Sequence, residues 1–295
     1  MLTEVIEKIA NKHHYQTVWL LRRAVYLVIG FYFLRLLPFA DTFFAPDAFI
    51  HYYHFDGNSS KWIVQALNFE LLHAIYPLLL GLLFAFLMLG FLGKWPTISA
   101  VGVYLCTIIL QYKTINITNG GEQLLYNILF WMIFLNEKEE GTFQRNLISW
   151  FGLAVVKFEV VLLYFTAGFG KLTGTHWLAG DAFFLVSQIP EYSNIWMAKF
   201  IVEHPNIGYF LNYYTLIYQI GFPFFIWFRK LKYKWMTLGV LFHLGIGLIC
   251  GIMDFGLILL AAYFAFYDED RSEWVKSALL KIKNAGYNTI KAKGD

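Results

Sequence analysis

The chain has 295 residues, of which 58% are hydrophobic and 15% charged, and its formal net charge is +3. Soluble domains hold roughly 45–50% apolar and about 25% charged residues, so this composition excludes an ordinary soluble domain and points to lipid-facing surface. The small positive charge, with no basic groove interleaved with aromatic residues, argues against a nucleic-acid partner.

Aromatic residues make up 20% of the chain (30 Phe, 19 Tyr, 10 Trp), which suits apolar spans edged by rings at the headgroup level. The first 14 residues are amphipathic and mixed in charge. No small-residue cleavage site follows the apolar run after Arg23, so the first helix is read as retained. A bilayer core needs about 20 mostly apolar residues per helix. Runs of that kind fall at 24–44, 70–92, 97–115, 121–136, 147–170, 207–228, 235–252 and 254–268, the fourth and eighth being short. The expected fold class is therefore all-α, a polytopic bundle of about eight transmembrane helices forming one domain, with a basic tail at 269–295. Segments 45–69 and 173–206, the second holding Trp177 and Trp196, lie between spans and are expected along the interface.

Cytoplasmic loops are enriched in Lys and Arg, which fixes the expected orientation. One side carries seventeen: Lys8, Lys12, Arg22, Arg23, Lys94, Lys138, Arg145, Arg229, Lys230, Lys232, Lys234, Arg271, Lys276, Lys281, Lys283, Lys291 and Lys293. The other carries four: Lys61, Lys113, Lys171 and Lys199, while Arg35 and Lys157 fall inside spans. Both ends are thus expected in the cytoplasm, the protein being multi-pass in a cell membrane, such as a bacterial cytoplasmic membrane. In the tail, Trp274, Val275, Ala278, Leu279 and Ile282 recur near helical spacing between lysines, the pattern of a surface helix on anionic lipid.

Charged groups inside a span cost a few kcal/mol each at the bilayer centre, so each one raises a functional question. Lys157, Tyr164, Gly168 and Lys171 follow at intervals of seven, four and three, which puts them on one helix face. Glu159 lies about 200 degrees away, so it is not expected to pair with Lys157. His243, in the seventh span, is the readiest proton carrier among the intramembrane groups or else a packed hydrogen-bonding residue. His73 stands near the outer end of the second span. Glu122, with Asn127, opens the fourth span after Asn119, Gly120 and Gly121, where a carboxylate also complements a helix N-terminus. His51 and His54, with Asp56, are three apart and have no second ligand pair, so no metal centre is expected. Cys106 and Cys250 lie in apolar runs and read as buried small hydrophobes, while Gly247 and Gly251 at four-residue spacing suggest close helix packing.

The stretch Tyr164-Phe-Thr-Ala-Gly168-Phe-Gly-Lys171-Leu-Thr-Gly-Thr-His-Trp177-Leu-Ala-Gly180 resembles the signature of the HTTM superfamily, the membrane domain shared with vitamin K-dependent gamma-carboxylase. Three further features are compatible with it in the same order: an arginine-bearing first helix, Asn119 to Glu122 with Tyr126 opening a short span, and Phe242-His243 before a Gly-rich run. The resemblance covers roughly residues 20–268. It implies that Lys171 is a catalytic base acting as a neutral amine on reduced vitamin K or a similar quinone. Tyr164, Gly168, Trp177 and Gly180 would then line the cofactor site, and His243 and Glu122 would be further catalytic candidates, Glu122 standing near where the carboxylase has a catalytic histidine. Without a large extracytoplasmic domain, quinone or lipid chemistry is expected rather than glutamate carboxylation. The sporulation-delaying-protein maturation factors, a branch of similar length, imply instead a non-catalytic factor for maturation or export of a secreted peptide. A small-molecule transporter is the third reading, although no pair of broken helices supports it.

Overall fold

The computed structural model describes residues 14–46, 74–111 and 120–294. His51, His54, Asp56 and His73 lie outside them. Every regular element among the described residues is helical. The main helices are α1 (Tyr15–Leu36), α2 (Ala40–Phe44), α3 (Tyr76–Phe91), α4 (Pro96–Gln111), α5 (Gly120–Met132) and α6 (Phe143–Lys171). They continue as α7 (Thr175–Ala179), α8 (Ala182–Ser187), α9 (Ile195–Glu203), α10 (Pro205–Phe225), α11 (Arg229–Ile249), α12 (Met253–Ala262) and α13 (Glu269–Gly294). Segment 173–206 is broken into α7, α8, a 3-10 turn and α9, each too short to span a bilayer.

Two helical stretches, Tyr15–Phe44 and Phe143–Lys171, are long and apolar enough to cross a membrane. Tyr76–Phe91, Pro96–Gln111 and Met253–Phe266 are apolar but shorter. At 1.5 Å per residue, the 29 residues of α6 reach about 43 Å, and the 16 of α3 or α4 about 24 Å. Pro77 stands second in α3 and Pro205 first in α10, within the first turn, where the amide N–H has no intrahelical partner. The Thr142 hydroxyl caps α6 by accepting from the Arg145 amide.

Contacts at the helix ends show that chain neighbours alternate in direction. Arg22, early in α1, is fully buried and donates to the carbonyls of Met132 and Leu135 at 2.9 and 3.0 Å and to that of Pro96. Its Nε lies 3.3 Å from Glu137, which also pairs with Arg23. This first end therefore gathers the start of α1, the start of α4 and the end of α5. Asn136 ties the first turns of α6 to that end, its backbone amide donating to Ser149 Oγ at 2.8 Å. Lys232 meets Asp268 at 2.8 Å, and Glu269 accepts from the Gln16 and Thr17 amides, which brings α11 and α13 to the same end. At the opposite end Arg35 pairs with Asp254, and the Asn194 amide donates to Ile249 O. Lys171 closes α6 at that opposite end.

The first helix begins at Tyr15 rather than near residue 24, and this corrects the reading of Arg22 and Arg23 as flanking loop charges. Glu137 pairs with both guanidiniums, the Pro96, Met132 and Leu135 carbonyls accept from Arg22, and the Phe91 carbonyl accepts from Arg23, so these contacts hold the two arginines inside the bundle. Gly251 is also reassigned. It adopts φ +71 in open space between α11 and α12, a left-handed turn that glycine allows, whereas a Cβ at Gly247 would strike Met253. Close helix approach therefore rests on Gly247. Cys106 and Cys250 are both buried and unpaired.

Candidate functional site

On α6, the one-face quartet is separated by depth, because seven residues of helix rise about 10.5 Å. Lys157, nearest the first end, borders a cavity of about 440 Å³ with Arg229, Lys232, Asp268 and Asp270. Glu159 turns elsewhere and meets the Trp131 side chain of α5. Tyr164 is buried at mid-depth, and Lys171 is half-buried at the opposite end.

Tyr164 enters a hydrogen-bonded network with residues of three other helical segments. Its hydroxyl bonds His243 Nε2 on α11 and lies 2.6 Å from the Tyr263 hydroxyl in the 3-10 turn after α12. Tyr263 in turn bonds the hydroxyl of Tyr218 on α10. All four side chains are at most 3% exposed. The Phe222 ring stacks on Tyr164 with centroids 4.0 Å apart, and Phe242 and Phe255 flank the imidazole. Gly239 makes the junction sterically feasible, since a Cβ there would collide with both the Tyr218 and Tyr263 hydroxyls. His243 Nδ1 is buried with no hydrogen-bond partner among the described residues. The arrangement is a chain of exchangeable protons ending on an imidazole, shielded from solvent by aromatic rings.

Lys171 occupies different surroundings. Its ammonium donates to Ala167 O at 3.2 Å and lies 5.0 Å from the centroid of the Trp177 ring, a cation–π contact. Among the described residues no carboxylate lies within ion-pair distance of it. The signature folds back on itself to make this contact: Gly174 N-caps α7, which carries Trp177 to the end of α6. Gly180 then ends α7 at φ +91, with the Tyr209 ring packed on it and the Tyr209 hydroxyl donating to Ala179 O at 2.5 Å. Gly168 lets α6 lie against α10, where a Cβ would come within 3.0 Å of the Gln219 backbone. The two glycines therefore fix the helices that carry Lys171 and Trp177. The lysine meets Trp177 but not Tyr164, whose hydroxyl belongs to the deeper network.

Between the two regions α10 carries the buried Asn212, Thr215 and Gln219, the last beside Gly168 of α6. Asn212 Nδ2 donates to Trp177 O at 2.9 Å, while Asn212 Oδ1 and Gln219 Oε1 have no hydrogen-bond partner among the described residues. This polar seam runs from the Trp177 turn toward the tyrosines.

Glu122 is 7% exposed in the first turn of α5. Together with Gln111 of α4 it reaches the Tyr32 hydroxyl of α1, and Tyr126 lies one turn further along α5. Asn127 is exposed. The three catalytic candidates thus stand in three places: Lys171 with Trp177, His243 with the tyrosines, and Glu122 with Tyr32 and Gln111. Sequence reasoning missed Tyr218 and Tyr263, which no spacing distinguishes among 19 tyrosines, and it missed the Arg22–Glu137 lock. No protein-family model, curated protein or solved structure matches the chain.

Proposed function

We propose that this chain is a multi-pass protein of a cell membrane, crossing eight times through α1, α3, α4, α5, α6, α10, α11 and α12 with both ends in the cytoplasm. On this reading it resembles the membrane domain of vitamin K-dependent gamma-carboxylase and performs proton-transfer chemistry on a hydrophobic reduced quinone at Lys171. The alternating helix directions support the topology, as does the apolar outer surface: Leu27, Leu105, Phe158, Ile217 and Leu241 are each at least half exposed. A water-soluble monomer rarely leaves so much large apolar side chain uncovered.

The observation that carries the chemical reading is the setting of Lys171. An amine held by one backbone carbonyl and an indole face can release its proton without stranding a carboxylate. It can then take a proton from a quinol hydroxyl, leaving a quinolate, and the ammonium so formed is again stabilised by Trp177. The quinol is the substrate in this scheme, and the residues supply binding surface and base.

The test is binding of a reduced naphthoquinone to the full chain in lipid nanodiscs, followed through tryptophan emission. Saturable quenching that falls sharply in Trp177→Leu supports the reading. Absence of saturable quenching in the wild type removes the quinone and leaves the role of a maturation or export factor for a secreted peptide.

A further inference from the structure

The tail helix α13 has a largely exposed face among the described residues. Its first turns are fastened to α1. Glu269 accepts the Gln16 and Thr17 amides, the buried Ser272 hydroxyl lies 3.0 Å from that of Thr17, and Lys276 donates to Gln16 Oε1 at 2.8 Å. These three residues share one side of the helix at 100 degrees per residue, and they set its rotation. With that side fixed, Trp274, Ala278, Ile282, Val275 and Leu279 fall on an adjoining stripe about 140 degrees wide. Three of its residues are exposed, Trp274 at 62%, Leu279 at 49% and Ile282 at 69%, while Val275 and Ala278 are half-buried and the Arg271 guanidinium lies over the Trp274 ring. Glu273 and Ser277 line the helix's remaining polar side.

Charge runs along the same helix in one direction. Glu269, Asp270 and Glu273 occupy its first turn or so, and beyond Glu273 the sequence holds Lys276, Lys281, Lys283, Lys291 and Lys293 with no acid until Asp295. The acidic turn suits the helix N-terminus and the contacts with α1. The rest combines an apolar stripe containing a tryptophan with lysines only, the composition of a helix that lies in the plane of an anionic lipid surface.

We infer that α13 is an anionic-lipid-binding element: its first turns lock onto α1, and its Trp274 to Ile282 stripe inserts among acyl chains beneath a layer of negatively charged headgroups. The site uses none of the residues assigned to quinone chemistry. It shares with the proposed function only the premise that the bundle is membrane-embedded. Because Glu269 binds the first amides of α1, lipid engagement of the tail bears directly on the helix that carries Arg22 and Arg35.

The experiment uses the full chain with Ile282→Cys, labelled with an environment-sensitive fluorophore; the native Cys106 and Cys250 are buried. The labelled protein is placed in nanodiscs of phosphatidylcholine alone or mixed with phosphatidylglycerol. The expected result is a blue shift and brighter emission only with the anionic lipid, reversed by high salt, because screening shortens the reach of surface charge. Adding Lys281→Glu should weaken the apparent affinity for phosphatidylglycerol roughly fivefold or more. Emission indifferent to lipid charge overturns the inference and leaves the membrane reading intact. A shift that follows the number of copies per nanodisc rather than lipid charge also overturns it, and assigns the stripe to a second copy of the chain. Protein that stays soluble without lipid or detergent overturns both.

Discussion

Replacing Tyr164 by Phe deletes one oxygen and leaves the ring stacked on Phe222, so its effect isolates the hydroxyl. That hydroxyl is the branch point of the buried network, bonded to both His243 Nε2 and Tyr263. Side-chain hydrogen bonds inside membrane helical bundles are worth about 0.6 kcal/mol each on average. A buried polar group stripped of its partner costs a further 1–3 kcal/mol or so. Tyr164→Phe removes two bonds and leaves His243 Nε2 without its partner, for a total of roughly 2–4 kcal/mol. Tyr218→Phe removes a single bond at the end of the chain, and Tyr263 keeps Tyr164, so its cost is about 0.6 kcal/mol. The assay is equilibrium unfolding in mixed micelles, with His243→Leu added to complete a double-mutant cycle. Because Tyr164→Phe and His243→Leu remove both members of one contact, their joint cost should fall short of the sum by about 1 kcal/mol or more. Equal costs for the two tyrosine variants, or strict additivity with His243→Leu, would refute the network.

Other expectations follow from the same structure. Arg22→Met leaves the Pro96, Met132 and Leu135 carbonyls without their donor inside the bundle and should cost roughly 3–5 kcal/mol in the same unfolding assay. Arg22→Lys should recover only part of that, since an ammonium lacks the planar fork. Gly180→Ala should lower stability more than Gly251→Ala: both positions have positive φ, but only at Gly180 does a side chain, the Tyr209 ring, occupy the space a Cβ would need. Topology reporters fused after Lys234 and after Asp295 should read cytoplasmic and one near Asn194 external; a cytoplasmic signal at Asn194 would break the eight-crossing arrangement.

The helical class was legible because lipid-scale apolar runs leave few alternatives, and the 147–170 run lies within the observed Phe143–Lys171 helix. The start of the first helix was not. Arg22 and Arg23 look like a boundary when charges are counted along the chain, yet Glu137, 114 residues beyond Arg23, lets them sit inside the bundle. The contact of Lys171 with Trp177 joins residues six apart, whereas Tyr164 with His243 joins residues 79 apart. Sequence spacing placed Tyr164 on the same face as Lys171, which is correct as geometry along one helix. It carried no information about what packs opposite that face, and α10, α11 and the turn after α12 decide that Tyr164 serves the network.

The central claim is that Lys171 acts as a base, and the most direct measurement is the absorbance of the ionised quinol. A reduced naphthoquinone is mixed with the full chain in nanodiscs at a pH where the free quinol stays protonated. Wild type should generate the quinolate band in proportion to bound ligand. Lys171→Arg should bind the ligand and generate none, because a guanidinium stays charged and accepts no proton. An undiminished quinolate band in Lys171→Arg would contradict the claim and reduce Lys171 to an interfacial anchor.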